Sequence, residues 1–436
     1  MKKKKILILG GGIAGLSAGY FLKKYGISNV IIEKNERPGG LLDNIQIKGF
    51  TFDNFIHLSL AKDKFVKNFF KKSTESFIHN PQPNNYYKGK WITHSPQNHL
   101  YPLGIKEKFK IIISFILRKK IIIDKNTNYE DWLKSTYGEY FARNFPMQYT
   151  LKYWKLNAKK MSSKWVGFRM NKPKLLDIIK GAFFPIYKNT YYAQNLKYPK
   201  KGGFKSYLSI LLKNKNILCS SSIVEIDCLN KNIKLRSGKR IEYDRLISSI
   251  PLPEICKVIK KIPRKILNIS RELKYTSGVI ISLGLNKPVK TKMWFYIYDK
   301  HIKTARVHSP SIKSRYNAPT GCGSLQAEIY LNQNKKINPS LMKKIEDQTI
   351  KDLIKMKIFK RENIIVKNAK YIKYANVVFD KNIYKKRDIV RDFLVKNKIY
   401  LIGRFGAWDY LWSDQAFLSG KSVADKIKLK IDSYEG

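Results

Sequence analysis

Cysteine is scarce in this chain. Its 436 residues include four, Cys219, Cys228, Cys256 and Cys322, with no Cys-x-x-Cys pair and no metal-ligand spacing. No metal site is therefore expected, and the thiols fit a reducing compartment. Carboxylates are also few. Asp and Glu total 32 against 86 Lys and Arg, a formal net charge of +54. Such a balance points to nucleic acid or an anionic membrane surface when the cations are gathered. Here the lysines are spread along the chain among abundant Ile and Asn, as in an AT-rich coding sequence. A phosphate-bearing substrate is the next contribution. No RNA- or DNA-binding motif is present, so no nucleic-acid partner is expected. Long apolar runs are missing as well. Lys2 to Lys5 precede only four apolar residues before Gly10. That is too short for a secretory signal, and a cytoplasmic location is expected. The run "KIIISFILRKKIII" is broken by Arg118, Lys119 and Lys120 and is too short to span a bilayer. It reads as a helix packed on a core, with peripheral membrane contact as the alternative.

What is present supports a large folded body. Hydrophobic residues make up 43% and aromatics 13%. The length suggests about two domains or one interleaved fold. The clearest motif comes first. "ILIL" (6–9) reads as a buried strand leading into Gly10, Gly11, Gly12, Ile13, Ala14 and Gly15. A helix then runs to Gly26, and "NVIIEK" is a second strand ending at Glu33. Strand, GxGxxG, helix, strand and acid within about 30 residues is the dinucleotide-binding arrangement. Gly10 permits the tight turn, Gly12 lets backbone approach a pyrophosphate, and Gly15 lets helix and strand pack closely. The helix N-terminus offers N–H groups to phosphates, and Glu33 is placed to accept ribose hydroxyls.

The stretch after Glu33, "KNERPGGLLDN", resembles the second fingerprint of FAD proteins of the glutathione-reductase type. Arg37, Gly39, Gly40 and Leu41 are the matching positions. The resemblance implies FAD, bound by a doubly wound α/β domain. It also implies that distant pieces of chain wrap the cofactor. "KIYLIG" (398–403) reads as a late sheet strand, followed by Arg404 and a small-residue helix that starts near Asp414, Gln415 and Ala416. In such proteins this unit brings Gly403, Arg404 and the helix start to pyrophosphate and flavin. The stretch 220–251 has the strand–hairpin–strand rhythm of the same class, with Val224 as the adenine contact. The expected organisation is thus discontinuous. FAD-binding segments cover 1–60, 200–262 and 365–436. A mainly helical segment (61–199) and a strand-rich one (263–364) form an interleaved mixed α+β substrate domain.

"GRFGAWDY" (403–410) resembles UDP-galactopyranose mutases, and colinear segments add to the likeness. They are "FTFDNFIH" with His57, "GKWITHSPQNHLYPL" with Gln97 and Asn98, "NFPMQYTLKYWKLNAKKMSSKWVGFRM" with Arg169, "YPKKGGF", and "FYIYDKHIKTARVHSPS" with Tyr296, Tyr298 and Arg306. The resemblance implies an FAD-dependent isomerase that converts a nucleoside-diphosphate sugar between pyranose and furanose on reduced flavin, without net redox, for surface polysaccharide precursors. An external reductant such as NAD(P)H or a reduced flavin is implied as a partner. Arg169 and Arg306 would clamp the diphosphate by charge-assisted bonds. Gln97, Asn98, Tyr296, Tyr298, Tyr374 and Tyr410 would contact the substrate, and His57 would lie over the flavin. The rival is an FAD oxidoreductase of the amine oxidase, protoporphyrinogen oxidase or desaturase type.

Overall fold

The computed structural model describes residues 5–435 other than 125, 168, 169, 171, 188, 190, 192 and 215, with side chains to 431. The "ILIL" run is β1 (Ile6–Leu9), and all four residues are buried. It is flanked on both sides by parallel partners, β2 (Asn29–Ile32) and the strand Arg245–Ser248. A strand covered on both faces must be apolar at every position, which is why the sequence shows a run and not an alternation. Strands Ile217–Leu218 and Ile399–Leu401 complete a five-stranded, all-parallel sheet.

Helix α1 (Ile13–Lys24) crosses from β1 to β2. The C-terminal helix Ser413–Glu435 lies against it. Small residues set their separation: a Cβ on Gly420 would sit 2.2 Å from the Ala14 carbonyl oxygen. Ser17 Oγ donates to the Phe417 carbonyl at 2.8 Å, and Tyr25 donates to Asp425 at 2.6 Å. Helix α2 (Lys64–Ser73) packs Val66, Phe69 and Phe70 into this same core. The expected boundary at 61 therefore falls too early, because the amphipathic α2 has its apolar face on the cofactor layer.

The second layer is a seven-stranded sheet. Its order is 364–377, 275–285, 323–332, 306–308, 294–297, 84–87, 90–93. The long strand Tyr275–Leu285 pairs antiparallel with both Gly323–Asn332 and Ile364–Val377. The start of the third cofactor segment at 365 is thereby corrected, since ladder pairing along 364–377 commits that stretch to the substrate sheet. Two strands from the expected helical segment, Asn84–Tyr87 and Lys90–Thr93, join the opposite edge. Helices between 105 and 183 cover one end, and their aromatic faces share a core with Leu7, Leu9, Leu246 and Trp408. Among the described residues no helix is long and apolar enough to cross a membrane.

Candidate cofactor and substrate site

A single cavity of about 1440 Å³ opens at the carboxyl ends of the parallel strands and runs to the seven-stranded sheet. Ligands of open α/β sheets bind at that end. One drug-sized ligand usually occupies roughly 300–1,000 Å³, so this cavity has room for a dinucleotide and a second molecule.

The cofactor end is built from the Gly-rich turn. Gly10 has φ +99°, open to glycine at little cost. A Cβ on Gly15 would lie 2.0 Å from the Gly10 carbonyl oxygen, so only hydrogen fits between helix and strand. A Cβ on Gly12 would meet nothing within 4 Å, because Gly12 faces the cavity. Gly12 also caps α1 with no side-chain hydrogen bond and no acid in the first turn, which leaves the helix end to an anion. Buried Glu33 accepts from Gly11 N–H at 2.7 Å and Asn35 N–H at 2.9 Å. It braces the turn and still lines the cavity. An open glycine, an uncapped helix end and a ribose-height carboxylate fit a dinucleotide.

Ile13, Ala14, Gly39, Gly40, Leu41 and Gly403 also line this end. Gly403 has φ +73°, and a Cβ there would lie 2.9 Å from that of Ala14. Arg37 lines the rim, pairing with Asp43 at 3.1 Å. Arg404 donates from Nε to the Leu411 carbonyl at 2.9 Å and stacks over Tyr410 at 4.9 Å. Asp414 and Ala416 line the cavity from the last helix, where burial raises the Asp414 carboxyl. Gln415 does not line it; its side chain accepts from Trp412 N–H at 2.9 Å and closes the local turn. Ser221, Ser222 and Ile223 line the cavity at the start of the strand expected to meet adenine through its backbone; the next side chain, Val224, is 42% exposed and does not line it.

His57 sits deep in the wall, its ring 5.0 Å from Phe204. Burial pushes its pKa down to about 4, with Asp53 opposing and Lys313 and Arg404 assisting. It is neutral at pH 7, and its Nδ1 is buried without a hydrogen-bond partner among the described residues. The neighbouring Asp53 and Lys313 form a fully buried ion pair at 3.1 Å.

The far end is tyrosine-rich. Tyr296, Tyr298, Tyr374 and Tyr410 all line it, with Gln97. Asn98 does not; its backbone carbonyl packs against Gly181. Tyr374 donates its proton to Glu254 and is tied to a carboxylate that Lys373 and Lys257 also hold. Its expected role as a substrate donor is corrected to that of a ring wall. Arg306 lines the cavity, but its guanidinium is already paired. Glu328 Oε2 accepts from its Nε at 2.9 Å and Nη2 at 2.6 Å. The same oxygen accepts from Tyr330 at 2.7 Å, and Oε1 accepts from Ile56 N–H at 2.7 Å. Arg169, the other expected clamp residue, lies outside the described residues.

Sequence reading missed Glu328, Tyr149 and Tyr153. Tyr149 and Tyr153 stand one helical turn apart on Pro146–Tyr153, and both face the cavity. The Tyr149 ring meets Tyr296 edge-on at 5.3 Å. The i,i+4 spacing was a usable signal. Glu328 had none, being a lone acid in an apolar strand. Among the described residues no His, Cys, Asp and Glu are grouped to hold a metal.

A family profile described as an NAD(P)-binding Rossmann-like domain matches residues 8–73. A reduced UDP-galactopyranose mutase structure is similar over 97% of this chain and 95% of its own, with TM-score 0.89 and 22% identity. The chain has the fold of the UDP-galactopyranose mutase and amine-oxidase superfamily of FAD flavoproteins. A provisionally named protoporphyrinogen oxidase from Exiguobacterium sp. 255-15 aligns over 99% of this chain and all of its own, with TM-score 0.76 and 15% identity. Among curated proteins, a 1-hydroxycarotenoid 3,4-desaturase of Flavobacterium sp. (strain P99-3) is 48% identical over 50 residues, which is 12% of this chain and 10% of that protein. The chain thus matches only about a tenth of such curated relatives, whereas the superfamily fold extends across its whole length. That fold and its Rossmann-like region are consistent with FAD as the cofactor.

Proposed function

We propose that this flavoprotein is a nucleotide-sugar pyranose/furanose mutase, acting on a nucleoside-diphosphate sugar. The observation that carries the reading is the polar aromatic end of the cavity. Tyr149, Tyr153, Tyr296, Tyr298 and Tyr410 line it together with Arg306, whose guanidinium lies 5.9 Å from the Tyr153 ring and whose ladder partner is Tyr296. Hydroxyl-bearing rings suit a ligand with both stacking faces and many hydroxyls, and suit a polyene poorly. Flavin, when bound, supplies the electron-rich centre for such chemistry. The chain's own residues position and polarise. The uncapped end of α1 and Gly12 hold phosphate oxygens, and Glu33 orients ribose. Neutral His57 presents an uncharged ring beside the flavin end. Arg306, fixed by Glu328, offers its outer edge to an anionic group. An external reductant, NAD(P)H or a reduced flavin, keeps the cofactor active.

A second reading, an FAD oxidoreductase, draws on specific observations. Glu328 already balances the Arg306 charge, which lowers its pull on a diphosphate. The short curated matches also bear carotenoid desaturase and oxygenase names. One experiment separates the two. The yellow protein is incubated anaerobically with UDP-, dTDP- and GDP-sugars, oxidised and dithionite-reduced, and products are resolved by chromatography. A new isomer from reduced protein alone supports the mutase. No product from any donor at full flavin occupancy refutes it and directs the search to hydride donors under oxygen.

A further inference from the structure

Helix α3 (Ile105–Ile116) is apolar on two sides, but only one side meets the core. Ile111, Ile112 and Phe115 are buried in the helical layer. Phe109, Ile113, Ile116 and Leu117 point outward, and Leu176 and Phe184 extend the same apolar face from the helix Leu175–Phe183 and its C-cap. These six side chains are 49–77% exposed. The two helices touch through Phe109 and Phe183, ring centroids 6.0 Å apart, so the face is continuous. Among the described residues nothing covers this stripe, and a contiguous exposed apolar face marks an interaction surface.

Charge narrows the choice of partner. Between residues 101 and 124 six Lys and Arg stand against two carboxylates. One of those acids, Glu107, is taken by Lys88 at 2.9 Å and Tyr87 at 2.7 Å. Lys106, Lys110, Lys119 and Lys120 are exposed along the edge of the stripe. A second copy docking by twofold symmetry would lay this face on itself and set cations against cations. An anionic bilayer instead offers negative headgroups to the lysines and acyl chains to the apolar stripe. We propose that this face docks the protein on the surface of an anionic lipid bilayer, with α3 lying in the interface plane. The proposal is independent of the chemistry performed in the cavity.

The test is co-sedimentation of flavin-loaded protein with vesicles of phosphatidylcholine alone or with about 30% phosphatidylglycerol. Partitioning onto the anionic vesicles alone is expected. Ile113→Ser/Leu117→Ser removes apolar insertion, and Lys119→Glu/Lys120→Glu inverts two rim charges. Each pair is expected to weaken partitioning at least about tenfold. The control Lys343→Glu/Lys344→Glu makes the same charge change on the helix Pro339–Lys355, which packs on strands 275–285 and 364–377 and has no contact with α3 among its principal ones. It is expected to change partitioning less than about threefold. Flavin absorbance shows that each variant is folded. Three results would overturn the proposal: no partitioning of the parent, an equal loss in the control, or a dimer in light scattering that the α3 variants dissociate.

Discussion

Replacing Glu328 by Gln changes shape hardly at all and removes one buried charge. Glu328 is fully buried, and its carboxylate receives four donors: Arg306 twice, Tyr330 once and the Ile56 backbone once. A glutamine has one carbonyl oxygen for three donors on the Oε2 side. Its amide then faces Ile56 N–H, a donor against a donor. Arg306 keeps its charge in a low-dielectric site with no counter-ion. Breaking such a buried pair costs about 3–5 kcal/mol. Unfolding entropy near 2.1 cal/mol/K per residue gives about 0.9 kcal/mol/K for this length, so the expected fall in Tm is about 3–5 °C. Differential scanning calorimetry of the flavin-loaded protein measures it. The double variant Glu328→Gln/Arg306→Met removes both charges and is expected to recover more than half of the loss. A Tm within 1 °C of the parent for Glu328→Gln, or strictly additive single and double variants, would refute the role assigned to this pair.

Gly12→Ala is expected to leave folding intact and to lower flavin occupancy at least about tenfold, because its methyl enters open cavity where phosphate backbone contact is needed. Gly15→Ala forces a methyl to 2.0 Å from the Gly10 carbonyl and is expected to lose both fold and flavin; absorbance ratios at 450 and 280 nm with circular dichroism distinguish the two outcomes. Gly420→Val drives the last helix off α1 and is expected to destabilise by more than about 2 kcal/mol in urea unfolding. His57 titrates at about 4 when folded against 6.5 when unfolded, so the unfolded chain binds the extra proton between those values. Stability from this group is complete above pH 6.5 and is lost as pH falls through about 4, on the order of 3 kcal/mol. His57→Asn is expected to flatten that part of the pH–stability profile, and an unchanged slope would count against the assignment.

The cofactor half was readable because its demands are local. A tight turn, a close helix–strand approach and an acid at the next strand end all fall within residues 6–33 and leave spacing as their trace. The closing unit at Gly403 and the small-residue helix was expected only through the resemblance to FAD proteins; its steric role shows in the packing of Gly403 and Gly420 on Ala14. The far half depends on pairing between remote strands. Arg306 and Glu328 face each other only because 306–308 and 323–332 are laddered in one register. Nothing in either segment alone reveals that the cation is spent. The boundary at 365 failed because a strand's apolar pattern does not say which sheet it joins.

Finally, the five-stranded sheet takes its strands from residues 6–9, 29–32, 217–218, 245–248 and 399–401, and the helix that closes it runs from 413 to 435. Contacts such as Ser17 to Phe417 span 400 residues. During synthesis the phosphate turn and the strand 29–32 emerge early, the second strand beside β1 follows only at 245–248, and the edge strand 399–401 and the closing helix come later still. Flavin capture is therefore expected to be late, with the earlier part of the nascent chain held as an unfinished sheet with open edges. Truncated chains ending before residue 399 are expected to bind no flavin and to depend on chaperones for solubility.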